Sequence, residues 1–190
     1  MRRIFVTIAL AALLPLVTPA AEAVELIPLT ELAKPGRVLI MRHALAPGVG
    51  DSESFKLRDC ATQRNLDSSG RAQAVAFGKR LARAGVTRAM VYSSQWCRCL
   101  DTARLLDMGA VEELLALNSF FRRPQDRDGQ LAALRAFLAR LPVDGVPIIL
   151  VTHQVTISAL TGHGAASGGG VILALDGTGD PRVLGAIEAN

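Results

Sequence analysis

Three short apolar runs, each stopped abruptly by polar residues, constrain this chain more than any other feature. Val38-Leu39-Ile40-Met41 ends in Arg42-His43, Arg88 to Tyr92 leads into Ser93-Ser94, and Pro147 to Thr152 ends at His153. An apolar run without alternation reads as a strand buried on both faces, and such strands belong to parallel sheets covered by helices. Helical stretches separate the runs. Ala74, Phe77, Leu81 and Ala82 recur at three- and four-residue spacing in a helix that begins near the capping residues Ser68-Ser69 and ends at Gly85. Further helices are expected over Gln95 to Asp107, over Gly129 to Leu141 with Pro142 as the stop, and over Val155 to Thr161. Val111 to Leu115 reads as another strand. Val171 to Leu175 and Arg182 to Ile187, flanking Asp176 to Pro181, read as a closing hairpin. The pattern predicts an α/β three-layer sandwich with a mostly parallel central sheet and helices on both faces. Ala44 to Asn65 is left as one long polar loop, of a length that usually serves function.

The N-terminus reads as a secretory signal peptide over residues 1–23. Arg2-Arg3 form a basic start, Ile4 to Val17 is apolar, and Ala21-Glu22-Ala23 is an A-x-A cleavage site that would leave Val24 as the first residue. A retained membrane anchor is the competing reading, but the run is shorter than the roughly 20 residues a span needs, and Pro15 interrupts it. Residues 24–190 are then one domain in the periplasm or outside the cell, with no stable membrane span. A net charge of +4, few aromatics and no Lys/Arg run argue against nucleic acid and leave an anionic small molecule as the partner. The three cysteines are Cys60, Cys97 and Cys99. Export permits a disulfide, from Cys60 to either Cys97 or Cys99; a bridge across one residue fits the geometry poorly. Such a bond would hold the long loop over whatever lies at the strand ends. Cys-Arg-Cys lacks the second ligand pair of a zinc site, so no metal is expected.

If the runs are parallel, their polar ends meet at one edge of the sheet, where open α/β folds bind ligands. Arg42, His43, Ser94, Arg98 and His153 converge there. Arginine forks bind phosphate oxygens bidentately, and helix N-termini add backbone donors. A neutral imidazole can attack phosphorus and carry the phosphoryl group. Two imidazoles and two guanidiniums therefore suit a phosphate.

The stretches Leu39-Ile40-Met41-Arg42-His43-Ala44, Ser93 to Ala103 and Val151-Thr152-His153 resemble the histidine phosphatase superfamily, also called phosphoglycerate mutase-like. Thr62 to Leu66 and Gly70 to Ala74 are similar to its first helix and lead-in. The resemblance implies a phosphorylated nucleophile at His43 and a phosphate pocket of Arg42, Arg98 and His153, with Ser94 and Gln154 also binding substrate. It implies no cofactor, and it points to the compact branch. Two departures stand out. Ala44 follows the first His where the family usually has Gly. Gln154 follows the second, and Ser119 stands where a loop Glu is expected, so neither usual proton donor is present. Glu112 and Glu113 are the substitutes offered, with Asp51 and Glu53 behind them. The expected function is an exported phosphatase that hydrolyses a phosphate ester or phosphoramidate through a phosphohistidine. The alternative is a phosphate-ligand-binding protein with weakened turnover.

Overall fold

A computed structural model describes residues 24–189 of the chain; the expected signal peptide, 1–23, lies outside them. Strands β1 (Arg37–Arg42), β2 (Met90–Ser93), β3 (Val111–Glu113), β4 (Ile148–Thr152), β5 (Gly170–Ala174) and β6 (Arg182–Ile187) form one sheet in the order β3-β2-β4-β1-β5-β6. The first four in that order run parallel, and β5 pairs antiparallel with both β1 and β6. The sheet is therefore mostly parallel and is closed by the expected hairpin. Glu25 to Ile27 lies along β6, tied by Ile27 N donating to Ala186 O (3.0 Å) and Ala186 N to Glu25 O (2.7 Å).

Among the described residues, four α-helices cover the sheet: α1 (Ser68–Arg83), α2 (Cys97–Leu105), α3 (Arg127–Leu138) and α4 (Gln154–Thr161). Side chains alternate along each strand, so the continuous apolar runs feed two cores at once. Leu39, Met41, Val91 and Val151 pack with Phe77 and Leu81 of α1 and Ala103 of α2. Val38, Ile40, Tyr92 and Leu150 point the other way, onto Leu134 and Leu138 of α3 and Ile157 of α4. Two glycines set how closely α1 packs. A Cβ on Gly78 would lie 2.2 Å from the carbonyl oxygen of Leu106, and one on Gly70 would lie 1.9 Å from that of Leu45. The second contact presses the start of α1 onto the chain just beyond His43.

Several boundaries differ from the sequence reading. Asp67, not a serine, caps α1, its carboxylate accepting from Gly70 N (2.7 Å). α2 starts at Cys97, two residues later than expected. Its approach is held extended by bonds from Gln95 N to Asn118 Oδ1 (2.9 Å) and from Cys97 N to Gln63 Oε1 (3.0 Å). β3 stops at Glu113, because Leu115–Leu117 turns as a 3-10 segment whose Ala116 and Leu117 are buried. α3 begins at Arg127, after a 3-10 turn at Pro124–Asp126, and ends at Leu138 rather than Leu141.

Candidate active site

Parallel register brings the polar strand ends together. Arg42 pairs with Thr152, and Ser93 with Val151, so the residues that follow leave the sheet side by side. His43 N donates to Thr152 O (3.0 Å), and Ala44 N to Thr102 Oγ1 (2.9 Å). That hydroxyl in turn donates to Arg98 O (2.7 Å), which ties the His43 backbone to α2.

His43 is 2% exposed and His153 4%, with ring centroids 5.6 Å apart. His43 Nδ1 lies 2.7 Å from the carbonyl oxygen of Ala44, so it carries the proton and leaves a lone pair on Nε2. Arg98 Nε donates to that Nε2 (3.2 Å). Burial, then the neighbouring guanidiniums of Arg98, Arg42 and Arg64, lower the His43 pKa to about 3. The imidazole is therefore neutral at neutral pH. Burial and Arg98 depress His153 in the same direction. Its Nδ1 faces Arg98 Nη2 at 3.5 Å, while its Nε2 lies 2.9 Å from Ser94 Oγ. The consistent assignment has Nε2–H donating to Ser94, whose hydroxyl donates to Asn118 Oδ1 (3.2 Å).

A cleft of about 1070 Å³ opens onto these groups. Arg42, His43, Arg64, Arg98, His153 and Gln154 all line it, so the structure brings together most of the expected site. Arg42 Nε is buried with no hydrogen-bond partner among the described residues, a donor that a ligand oxygen would satisfy. Ser94 is placed differently from its expected role. It is fully buried, does not line the cleft, and orients His153 instead of touching a ligand. The Gln154 side chain is partly engaged within the protein, accepting from Ala165 N (2.9 Å) and donating to Ser158 Oγ (3.3 Å).

Neither Glu112 nor Glu113 lines the cleft. Glu113 accepts from Gln95 Nε2 (2.9 Å) and sits 3.9 Å from Arg58, because the short β3 sends it to the edge of the sheet. Glu53, in the long loop, does not line it either; Asp51 does. Asp51 is engaged by Arg98 Nη1 (2.7 Å) and Nη2 (3.2 Å), by Trp96 Nε1 (3.0 Å) and by Arg64 N (3.0 Å). Burial opposes ionisation there, but these donors, Arg98 foremost, hold the carboxyl below its ordinary value. Asp51 is thus an acceptor that braces Arg98, and a poor proton donor. Cys60 and Cys97 form the disulfide (Cα–Cα 5.7 Å), and Cys99 is free and buried, its thiol pushed up to about 12 by desolvation. The bond joins the long loop to the first residue of α2, beside Arg98.

Thr102, Asn118, Trp96 and Arg64 were not read as site residues in the sequence. Arg64 had a signal, since it lies in the lead-in stretch with family resemblance; its guanidinium bonds Gly50 O (3.0 Å) and Ala46 O and folds the loop inward. Trp96 and Thr102 lie inside the Ser93 to Ala103 stretch of family resemblance, which does not say what their side chains touch, and Asn118 carries no pattern that would single it out.

A cationic, imidazole-bearing pocket at the carboxyl edge of this sheet suits a phosphoryl group. The model of the histidine phosphatase superfamily (branch 1) matches residues 38–117, and over those residues the chain is similar to that superfamily. No curated protein sequence matches it. Among solved structures, the protein histidine phosphatase SixA complexed with tungstate is 19% identical. It has a TM-score of 0.58, over 80% of this chain and 97% of that one. The mycobacterial glucosyl-3-phosphoglycerate phosphatase Rv2419c with VO3 is 17% identical, with a TM-score of 0.56 over 80% and 98%. A protein described as mycobacterial hydrolase 1 is 19% identical, with a TM-score of 0.61 over 82% and 99%. At these identities the likeness is one of fold.

Proposed function

We propose that this protein is an exported phosphatase that hydrolyses a phosphate ester or phosphoramidate through a phosphohistidine on His43. The observation that carries the reading is the neutral His43 imidazole, whose Nδ1 is tied to Ala44 and whose Nε2 faces Arg98. Nε2 attacks phosphorus, the bond to the leaving oxygen or nitrogen breaks, and the leaving group departs with the electron pair. Arg42 and Arg98 stabilise the charge on the phosphoryl oxygens, and His153 lies against the same oxygens. Water then attacks the phosphohistidine, releasing phosphate and restoring His43. The structural neighbours named for protein histidine phosphatase and sugar-phosphate phosphatase activity support both leaving-group types as candidates. Export is supported by the leader-like residues 1–23 and by the disulfide, which belongs to an oxidising compartment. Sequencing the N-terminus of the exported protein should give Val24 first.

The test is hydrolysis of para-nitrophenyl phosphate without added metal, with His43→Ala alongside. The expected loss in the variant is on the order of 10³-fold or more, the scale seen when a covalent catalyst is removed. One observation favours the binding-protein reading: Glu112 and Glu113 lie off the cleft and Asp51 is occupied by Arg98. Phosphate binding without any His43-dependent turnover would establish it in place of the enzyme.

A further inference from the structure

We propose that the cleft selects aryl phosphate monoesters, holding a bulky aromatic leaving group on an apolar wall that starts at His153. The proposal rests on the phosphatase reading above and names its substrate class. A phosphate needs only the cationic floor of the cleft. The whole cleft, about 1070 Å³, lies just above the range of roughly 300–1,000 Å³ typical of pockets for drug-sized ligands. The remaining space belongs to the leaving group.

The walls of that space carry a large apolar part beside the polar side chains of Arg122, Arg123, Gln125 and Asp126. Trp96 stands edge-on to the His153 ring, with centroids 5.2 Å apart. It stacks on Phe55 at 5.0 Å, and its indole N–H is held by Asp51. Three contacts therefore fix the Trp96 plane before any ligand arrives, which is the preorganisation a flat ligand needs. Leu115 and Phe121 line the same cleft and are 68% and 58% exposed. Large apolar side chains left exposed on a cleft mark a binding surface. Leu57 and Val155 add to the apolar lining of the same cleft.

The chemistry of departure agrees with the shape. Phenol-type oxygens have pKa values near ~10, several units below those of alcohols, and leave as phenolates without a strong acid. Asp51, the carboxylate nearest the guanidinium floor, is held ionised by Arg98. In the first step the bond from His43 Nε2 to phosphorus forms and the bond from phosphorus to the aryl oxygen breaks, its electron pair passing to the phenolate, which takes a proton from water. In the second step water attacks the phosphohistidine, phosphate leaves and the water's proton passes to solvent.

The experiment measures kcat/KM of the mature protein for 1-naphthyl phosphate, phenyl phosphate and an alkyl phosphate of ten carbons. Para-nitrophenyl phosphate with His43→Ala serves as the control. The naphthyl and phenyl esters leave with similar ease, so their ratio reports binding of the second ring. A preference for naphthyl of about tenfold is expected, from the added apolar area buried. In the double variant Leu115→Ser, Phe121→Ser the ratio should fall to within about twofold; both side chains are mostly exposed, so this variant retains the fold. A ratio near one in the unaltered protein, a ratio unmoved in the variant, or faster turnover of the alkyl ester would overturn the proposal while His43-dependent hydrolysis leaves the phosphatase reading standing. Absence of His43-dependent hydrolysis of every ester would remove both.

Discussion

Arg98 uses nearly every donor it has. Nε reaches His43, Nη1 reaches Asp51 and the Arg64 carbonyl, and Nη2 reaches Asp51 and His153. The Asp51 carboxylate thus occupies the fork that would hold phosphate oxygens, and it must yield part of that fork when an anion enters. Asp51→Asn keeps the volume but only one of the two acceptor oxygens, and it removes the charge. Two effects are expected. Inhibition by inorganic phosphate should tighten roughly fivefold, because a like charge beside the incoming anion is gone. Stability should fall by about 3 kcal/mol, the scale for breaking a buried ion pair, since Arg98 and Asp51 are 4% and 9% exposed. Weaker phosphate inhibition in the variant would show instead that Asp51 serves chiefly to aim Arg98. His43, Arg98 and His153 were legible as site residues because a residue at a strand tip or one turn into a helix is placed by the backbone. Asp51 was legible only as one loop carboxylate among several, because the path of its loop decides where it points.

The element that depends most on the loop is α2. Its first residue, Cys97, is bonded to Cys60 across a sequence separation of 37, and its second residue is Arg98. Closing a loop of that size stabilises a domain by about 2–4 kcal/mol. Reduction should therefore lower the melting temperature measurably, and should lower kcat/KM on para-nitrophenyl phosphate as the loop carrying Asp51 loosens. The oxidised protein should show one reactive thiol only after unfolding, because Cys99 is buried and its thiol resists ionisation. Three free thiols in the oxidised protein by mass analysis would contradict this. Sequence spacing left two pairings open; what selected Cys97 over Cys99 is the turn at the helix start, which directs Cys99 into the core against Thr152 and His153.

For the whole molecule, the two buried imidazoles link folding to pH. In the unfolded chain each takes up a proton near pH 6.5. In the folded chain His43 resists until about pH 3, and His153 is depressed in the same direction. Between those limits the unfolded state binds more protons, so stability is full above pH 6.5 and declines as pH falls, by up to about 1.4 kcal/mol per pH unit for each imidazole. Asp51, also depressed, adds a loss in the same direction at still lower pH. A clear drop in melting temperature from pH 7 to pH 4.5 is expected, smaller in His43→Asn; an unchanged or higher value at pH 4.5 would refute the linkage. The class of fold and the convergence of Arg42, His43, Arg98 and His153 were determined by the sequence alone. Uninterrupted apolar runs must be buried on both faces, and parallel burial brings their ends to one edge. Only the tertiary structure decided that Ser94 serves His153, that Glu112 and Glu113 lie off the cleft, that Asp51 braces Arg98 and that Cys97 is the bonded thiol. Each of these depends on loop paths and side-chain directions set by contacts between residues far apart in the chain, which local pattern does not encode.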